Sequence, residues 1–171
     1  MRSLAAKLWA MGSHCYHDHD ETGLSAGEVD RALASAEARC VQQGERMTAP
    51  RRRVLELLLQ AGEAVKAYDL IARYGADGVA AKPPTVYRAL EFLEKTGMAH
   101  CIASISACVA CSVGDRAHAA AFLICDCCGA TEEVTPPEGE ALQQAAAAAG
   151  YALERTTIEG HGRCPACRVA A

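Results

Sequence analysis

Large rings are scarce in this chain: two Phe, one Trp and five Tyr among 171 residues. With few rings and many alanines, mostly helical packing of small apolar side chains is expected. No stretch approaches the roughly 20 apolar residues of a membrane span, which excludes a membrane as partner. No secretory leader is expected either, because Met1–Met11 is interrupted by Lys7 and has no long apolar core. Positive charge is not in excess: 17 Lys/Arg stand against 21 Asp/Glu. That balance argues against a protein that coats nucleic acid indiscriminately. A reducing cytoplasm is the expected location, and there clustered cysteines usually mean metal rather than disulfides.

Cysteine, by contrast, is abundant, with ten residues. Cys125 and Cys128 form one C-x2-C, and Cys164 and Cys167 form a second after a long gap. Two residues between cysteines let a tight turn aim both thiolates at one ion, and two such turns supply the four ligands of a tetrahedral zinc. Gly129, directly after the first pair, suits a turn that needs a positive φ. A single CxxC is as well explained by two small buried thiols; two pairs among turn residues favour metal. Cys164-Pro165-Ala166-Cys167 also has the form of a redox dithiol. That fold needs a following helix, and only four residues remain, so no helix is expected there.

The length accommodates one ordinary domain or two small ones. Residues 1–23 are expected to be a flexible tail, although His14, Cys15, His17 and His19 crowd into a tract that can bind metal as an accessory site. Ser25 and Glu28 form a capping box for a helix to about Cys40, which buries Val29, Leu33, Ala36 and Cys40. A second helix follows Thr48. Arg51, Arg52 and Arg53 at its start oppose the helix dipole, so either a phosphate backbone or plain solvent faces them. A third helix covers Ala67–Tyr74, and Pro83-Pro84 opens a fourth that ends near Gly97. Alternation over residues 99–113 predicts a β-hairpin. Helices followed by a hairpin make a winged helix-turn-helix, whose last helix enters the major groove. On that reading Arg52, Tyr68, Thr85, Tyr87 and Arg88 face double-stranded DNA. Charge supports the division: residues 46–98 hold nine Lys/Arg against six Asp/Glu, and residues 99–171 hold four against eight.

From Ala121 the pattern changes. Strands are expected at Phe122–Cys125, Glu132–Val134 and Tyr151–Glu159, with an alanine-rich helix at Glu140–Ala149. The expected fold class is therefore α+β: a winged helix over residues 24–113, a hinge over 114–120, and a small metal-binding domain over 121–171. So small a domain holds little core, and metal and a second subunit are expected to supply the missing stability. His100, Cys111, His118 and Glu133 lie on the wing, the connector and the second domain. They can form a second zinc site of mixed ligands. Each residue alone is as readily a packed thiol or a hydrogen-bonded histidine. Cys101 and Cys108 are nearby competitors.

Several runs together carry a resemblance. They are Arg46-Met47-Thr48-Ala49-Pro50-Arg51-Arg52, Ala67-Tyr68-Asp69-Leu70, Lys82-Pro83-Pro84-Thr85-Val86-Tyr87-Arg88-Ala89-Leu90, Gly97-Met98-Ala99-His100, Ile124-Cys125-Asp126-Cys127-Cys128-Gly129 and Ile158-Glu159-Gly160-His161-Gly162-Arg163-Cys164-Pro165-Ala166-Cys167. With these the chain resembles the ferric uptake regulator family, in its zinc uptake regulator branch. The resemblance implies a homodimeric, metal-activated repressor of zinc-uptake genes that binds palindromic operators, and not an enzyme. It implies structural zinc at Cys125, Cys128, Cys164 and Cys167, and regulatory zinc at His100, Cys111, His118 and Glu133, or roughly two ions per chain. The iron- and peroxide-sensing branches carry a histidine-rich run before the first CxxC. Here that run is Ala119-Ala120-Ala121-Phe122-Leu123-Ile124, with only His118 upstream. A cysteine in the sensing set also favours zinc over ferrous iron. An iron or peroxide regulator, and a cytosolic zinc or thiol buffer, are the alternatives.

Overall fold

The structure, a computed structural model, describes residues 23–75, 82–111, 120–135, 140–153 and 156–169. Its first half is built on four helices. Helix α1 (Ala26–Gln42) begins where the Ser25 backbone N–H and hydroxyl both donate to the Glu28 carboxylate, at 2.9 and 2.5 Å. It buries Val29, Leu33, Ala36 and Cys40, the predicted stripe. Helix α2 (Ala49–Ala61) has Pro50 in its first turn and stops at Gly62, whose φ of 63° no β-carbon favours. Helices α3 (Ala67–Gly75) and α4 (Pro83–Lys95) complete the set, and α4 buries Val86, Leu90 and Leu93 as its spacing requires. These faces form one apolar core with Leu58 and Leu70 at its centre.

The wing follows as β2 (Ala99–Ile102) and β3 (Ala107–Ala110), joined by a tight turn. Strand β3 ends at Ala110, Cys111 N–H bonds the Met98 carbonyl at 3.0 Å, and the rest of the expected hairpin, to Val113, lies outside the described residues. One detail differs from expectation: a third strand, β1 (Val65–Lys66), pairs with β3, giving the order β1-β3-β2. Two residues between helices are too few to show alternation.

The second half is a sheet of order β5-β4-β6, from β4 (Ala120–Cys125), β5 (Thr131–Val134) and β6 (Thr157–Gly162). Helix α5 (Glu140–Ala148) connects β5 to β6, which runs parallel to β4. The strand expected at Tyr151–Glu159 thus lies further along the chain. Tyr151 and Leu153 are exposed coil, while Gly160 and Gly162 belong to the strand. Glycine is what the pairing needs: a β-carbon on Gly160 would meet the Leu123 side chain at 3.1 Å. The expectation of no helix at the second CxxC is also corrected. Helix α6 (Pro165–Val169) is a single turn within it, closed by Arg168 N–H on the Cys164 carbonyl at 3.0 Å. Proline in first position presets that turn. The fold class is α+β, a winged helix joined to a small mixed sheet. The two halves meet through Ile102, Phe122 and Ile124, with Ile105 and Val109 packed against them.

Candidate metal centres

Two turns build the first centre. Cys125 ends β4, and the chain reverses through Gly129 at φ 78°, with Gly129 N–H on the Cys125 carbonyl. Asp126 N–H bonds the Gly162 carbonyl and so ties this turn to the end of β6, where the second turn begins. The sulfurs of Cys125, Cys128, Cys164 and Cys167 all lie within 4.8 Å of one another. Zinc–sulfur bonds of about 2.3 Å place tetrahedral ligands about 3.8 Å apart. Cys128 and Cys164 Sγ are 3.8 Å apart. The set therefore fits zinc in both spacing and chemistry.

The thiols are electrostatically unequal. The Cys128 N–H, then the Cys164 N–H at 3.3 Å, point at the Cys125 sulfur and lower its pKa to about 6. Burial, then crowding by the Cys164 and Cys128 thiols, pushes Cys167 far up. Cys128 feels the Ala130 N–H pulling its pKa down, but burial and the Cys125 sulfur outweigh it and the net shift is upward. A cation among these sulfurs removes the mutual penalty.

The second group joins the halves. His100 lies on β2, Cys111 just past β3, and Glu133 on β5; their ligand atoms also fall within 4.8 Å of one another. His100 is 9% exposed, and its Nε2 sits 3.8 Å from Glu133 Oε1. The Phe122 ring lies 6.0 Å from the imidazole and walls off one side. Zinc bonds of about 2.0 Å to nitrogen and oxygen need ligands roughly 3.3 Å apart, so a small inward movement suffices. His118 lies outside the described residues, as do His14, Cys15, His17 and His19.

The residues expected to face DNA sit on α2, α3 and α4. Tyr68 at the start of α3 is 78% exposed and Tyr87 on α4 is 54% exposed. Arg88 is exposed one residue on, and Thr85 is half-buried in the first turn of α4. Arg52 bonds Glu37 at 3.0 Å.

Residues 42–161 match the model of the ferric uptake regulator family. The chain belongs to the ferric uptake regulator family. The second CxxC lies just past the matched stretch. The zinc uptake regulation protein of Escherichia coli (strain K12) is 42% identical over 137 residues, which cover 79% of this chain and 80% of that protein. The protein of the same name from Shigella flexneri matches equally. Among solved structures, a zinc uptake regulator complexed with zinc and DNA is 40% identical with a TM-score of 0.75, covering 83% of this chain and 96% of that one. The structure of holo XcZur is 38% identical with a TM-score of 0.71, covering 83% and 99%.

Within this member of the ferric uptake regulator family, other expectations are revised. Cys101 and Cys108 are not spare ligands: directly opposite on β2 and β3, their sulfurs are bonded as a disulfide. Clustering did not, for this pair, mean metal. The arginines at the start of α2 have partners within the protein. Arg51 bonds the Arg46 carbonyl and stacks 3.4 Å over the Phe92 ring, Arg52 pairs with Glu37, and Arg53 pairs with Glu56. Sequence reasoning missed Glu159 and His161, which reach from β6 to the wing. Their i, i+2 spacing was the available signal, hidden because the expected strand ended at Glu159 and left His161 outside it.

Proposed function

We propose that this chain is a zinc-responsive, homodimeric transcriptional repressor that binds palindromic operators of zinc-uptake genes. The observation that carries this reading is the second centre, whose donors come from both the wing sheet and the sheet beyond it. A site so placed links occupancy to the angle between the halves. Its nearest support outside the chain is the named zinc uptake regulators that it resembles at about 40% identity. The four-cysteine centre is assigned a structural role, and His100, Cys111, His118 and Glu133 the sensing role, giving roughly two zinc ions per chain.

The division of labour follows the expected boundaries: residues 24–113 bind DNA, 114–120 form a hinge, 121–171 dimerise and hold metal, and 1–23 form a tail. Helix α4 enters the major groove, with Thr85, Tyr87 and Arg88 toward the duplex and Tyr68 beside it. Arg52 reaches phosphate only by leaving Glu37. When bound at the sensing site, zinc supplies the charge that holds a thiolate and a carboxylate side by side. His100 and Cys111 orient the wing, and Glu133 holds it against β5. This closure favours operator binding only if the metal prefers the closed shape; by linkage, operator then tightens metal binding. The protein works in the cytoplasm and is not an enzyme. Among the described residues no helix is long and apolar enough to cross a membrane.

The test is Cys111→Ser. Expected is a folded dimer that keeps its four-cysteine metal, loses about one zinc per chain and no longer responds to zinc in an operator gel shift. Zinc-dependent shifting by the variant overturns the sensing assignment. Shifting by iron in place of zinc overturns the choice of metal.

A further inference from the structure

The sheet of the second half carries a second attachment to the wing that involves no metal ligand. On β4, Phe122 is in register with Glu133 of β5 on one side and Glu159 of β6 on the other. Paired residues on neighbouring strands share a face. The three therefore form a row facing the wing, with a carboxylate at each end and an apolar ring between. Glu133 reaches His100, the sensing end of the row. Glu159 reaches elsewhere: its Oε1 accepts from Ala103 N–H at 3.0 Å and its Oε2 from Ser104 N–H at 3.3 Å. Those two amides open the turn between β2 and β3, which closes through Ser106 N–H on the Ala103 carbonyl. Successive outward amides at a turn make a cradle for an anion, and Glu159 fills it.

Two register positions along, on the same face, Ile124 pairs with His161. Its Nε2 lies 3.1 Å from Ser104 Oγ and its Nδ1 3.0 Å from Asp126 Oδ1. Asp126 sits between two cysteines of the first CxxC turn, and His161 stands three residues before Cys164. Each link is a polar group held by another: turn to Ser104, Ser104 to His161, His161 to Asp126, and Asp126 to the four-cysteine turn. The Glu159 carboxyl is held below its ordinary pKa, by the Ser104 hydroxyl first and by the two amides.

We propose that Glu159, with His161 oriented by Asp126, is a positioning latch that docks the wing turn onto β6 and is needed to present the DNA-binding helices at operator spacing. The inference rests on the proposed operator-binding function and adds to it. The sensing site closes one end of the interface when metal is present; the latch holds the other end through the four-cysteine turn. The latch residues touch neither DNA nor the sensing ligands. They act by fixing the turn on which the wing pivots.

The experiment uses the full-length dimer loaded with zinc and a duplex enriched from a random pool by the wild-type chain. For Glu159→Ala, zinc content and dimerisation are expected to stay as in wild type. Duplex affinity falls about tenfold or more, because two charge-assisted hydrogen bonds are lost. Glu159→Gln, which keeps one acceptor oxygen, falls between. Amide hydrogen exchange speeds up at Ala103 and Ser104 while the α2–α4 core stays protected, a pattern that general destabilisation does not give. Should Glu159→Ala not fold, Ser104→Ala removes the His161 bond from an exposed turn and is expected to lose affinity in the same direction. Unchanged affinity with unchanged exchange in the folded variants overturns the latch. If the wild-type chain enriches no duplex in a zinc-dependent way, the operator-binding function fails instead. Exchange at Ala103 and Ser104, slow in wild type and fast in Glu159→Ala, then still decides whether the latch exists.

Discussion

The two halves of this molecule are stabilised by different physics. The winged helix buries a continuous apolar core: Val54, Leu58, Leu70, Val86 and Leu93 are fully enclosed where four helices meet. Among the described residues the second half buries only Ala120, Ala121, Phe122, Ile124, Cys125 and Cys167, and Ala120, Phe122 and Ile124 face the wing. Its helix α5 lies largely exposed, with Leu142 about half accessible, and Leu123 projects from the opposite face of β4. In place of a core it has two turns with four sulfurs between them. Burial acts whatever the metal supply, whereas a ligand cluster contributes only when filled. One half is therefore a permanent scaffold and the other a conditional one.

The difference is most sharply broken by Cys164→Ser. Removing one of four ligands leaves three thiols with no tetrahedral partner, and little apolar core replaces it. The expected outcome is loss of the second half's cooperative unfolding and of dimerisation, while near-native helicity from α1–α4 remains. Circular dichroism and sedimentation check it, and a stable dimer of wild-type melting behaviour counts against the structural role. The mirror experiment is Leu93→Ala. It removes a fully buried side chain between α4 and the other helices and is expected to cost about 3 kcal/mol of winged-helix stability. Urea unfolding measures that loss, and metal content per chain should not change. If metal content falls with it, the halves do not have separable supports.

A third prediction concerns the metal-free cluster. Because amide donors lower the Cys125 thiol to about 6, its thiolate persists at neutral pH. The sign follows directly. A group depressed on folding stabilises the fold fully above its unfolded pKa, and that contribution is lost as pH falls through about 6. Ultraviolet thiolate absorbance of the stripped protein should show a first titration step near that value, with Cys167 the last to ionise. A single step at the pKa of a free thiol, near 8.5, contradicts the amide geometry.

Legibility also divided along this line. In the winged helix, sequence and structure agree closely, because an apolar stripe at helical spacing has one way to be buried. Ser25, Pro50, Pro83 and Gly62 mark ends that local chemistry sets. The four cysteines were equally legible, since the turn that brings each pair together is local. The second half was less so. Strand β6 was placed too early along the chain, because Gly160 and Gly162 give no alternation to read, and the close approach of Gly160 to Leu123 lies across the sheet rather than near it in sequence. Glu159 and His161 went unread for the same reason: their partners lie 56 and 57 positions away on the wing. The Cys101–Cys108 bond depended on a strand register that no spacing rule supplies. Where the determinant is a partner strand, a single segment does not contain it.

The smallest expected effect tests whether the scaffold half is autonomous down to its helix ends. Ser25 donates its hydroxyl and its backbone N–H to Glu28, and these bonds, the hydroxyl first, hold the Glu28 carboxyl below its ordinary pKa. Ser25→Ala removes the hydroxyl and leaves the amide, so α1 keeps part of its cap. A drop of a few degrees in melting temperature at neutral pH is expected. The capping contribution is complete above the ordinary glutamate range and disappears as pH falls through the lowered value, because only the carboxylate accepts both bonds. The gap between wild type and variant should therefore close on acidification. It should also be the same in chelator and in zinc, since α1 packs chiefly on α2. A gap that widens when metal is stripped means that the first turn of α1 senses the second half, and the separation of a permanent scaffold from a conditional one must then be redrawn at the level of single helix ends.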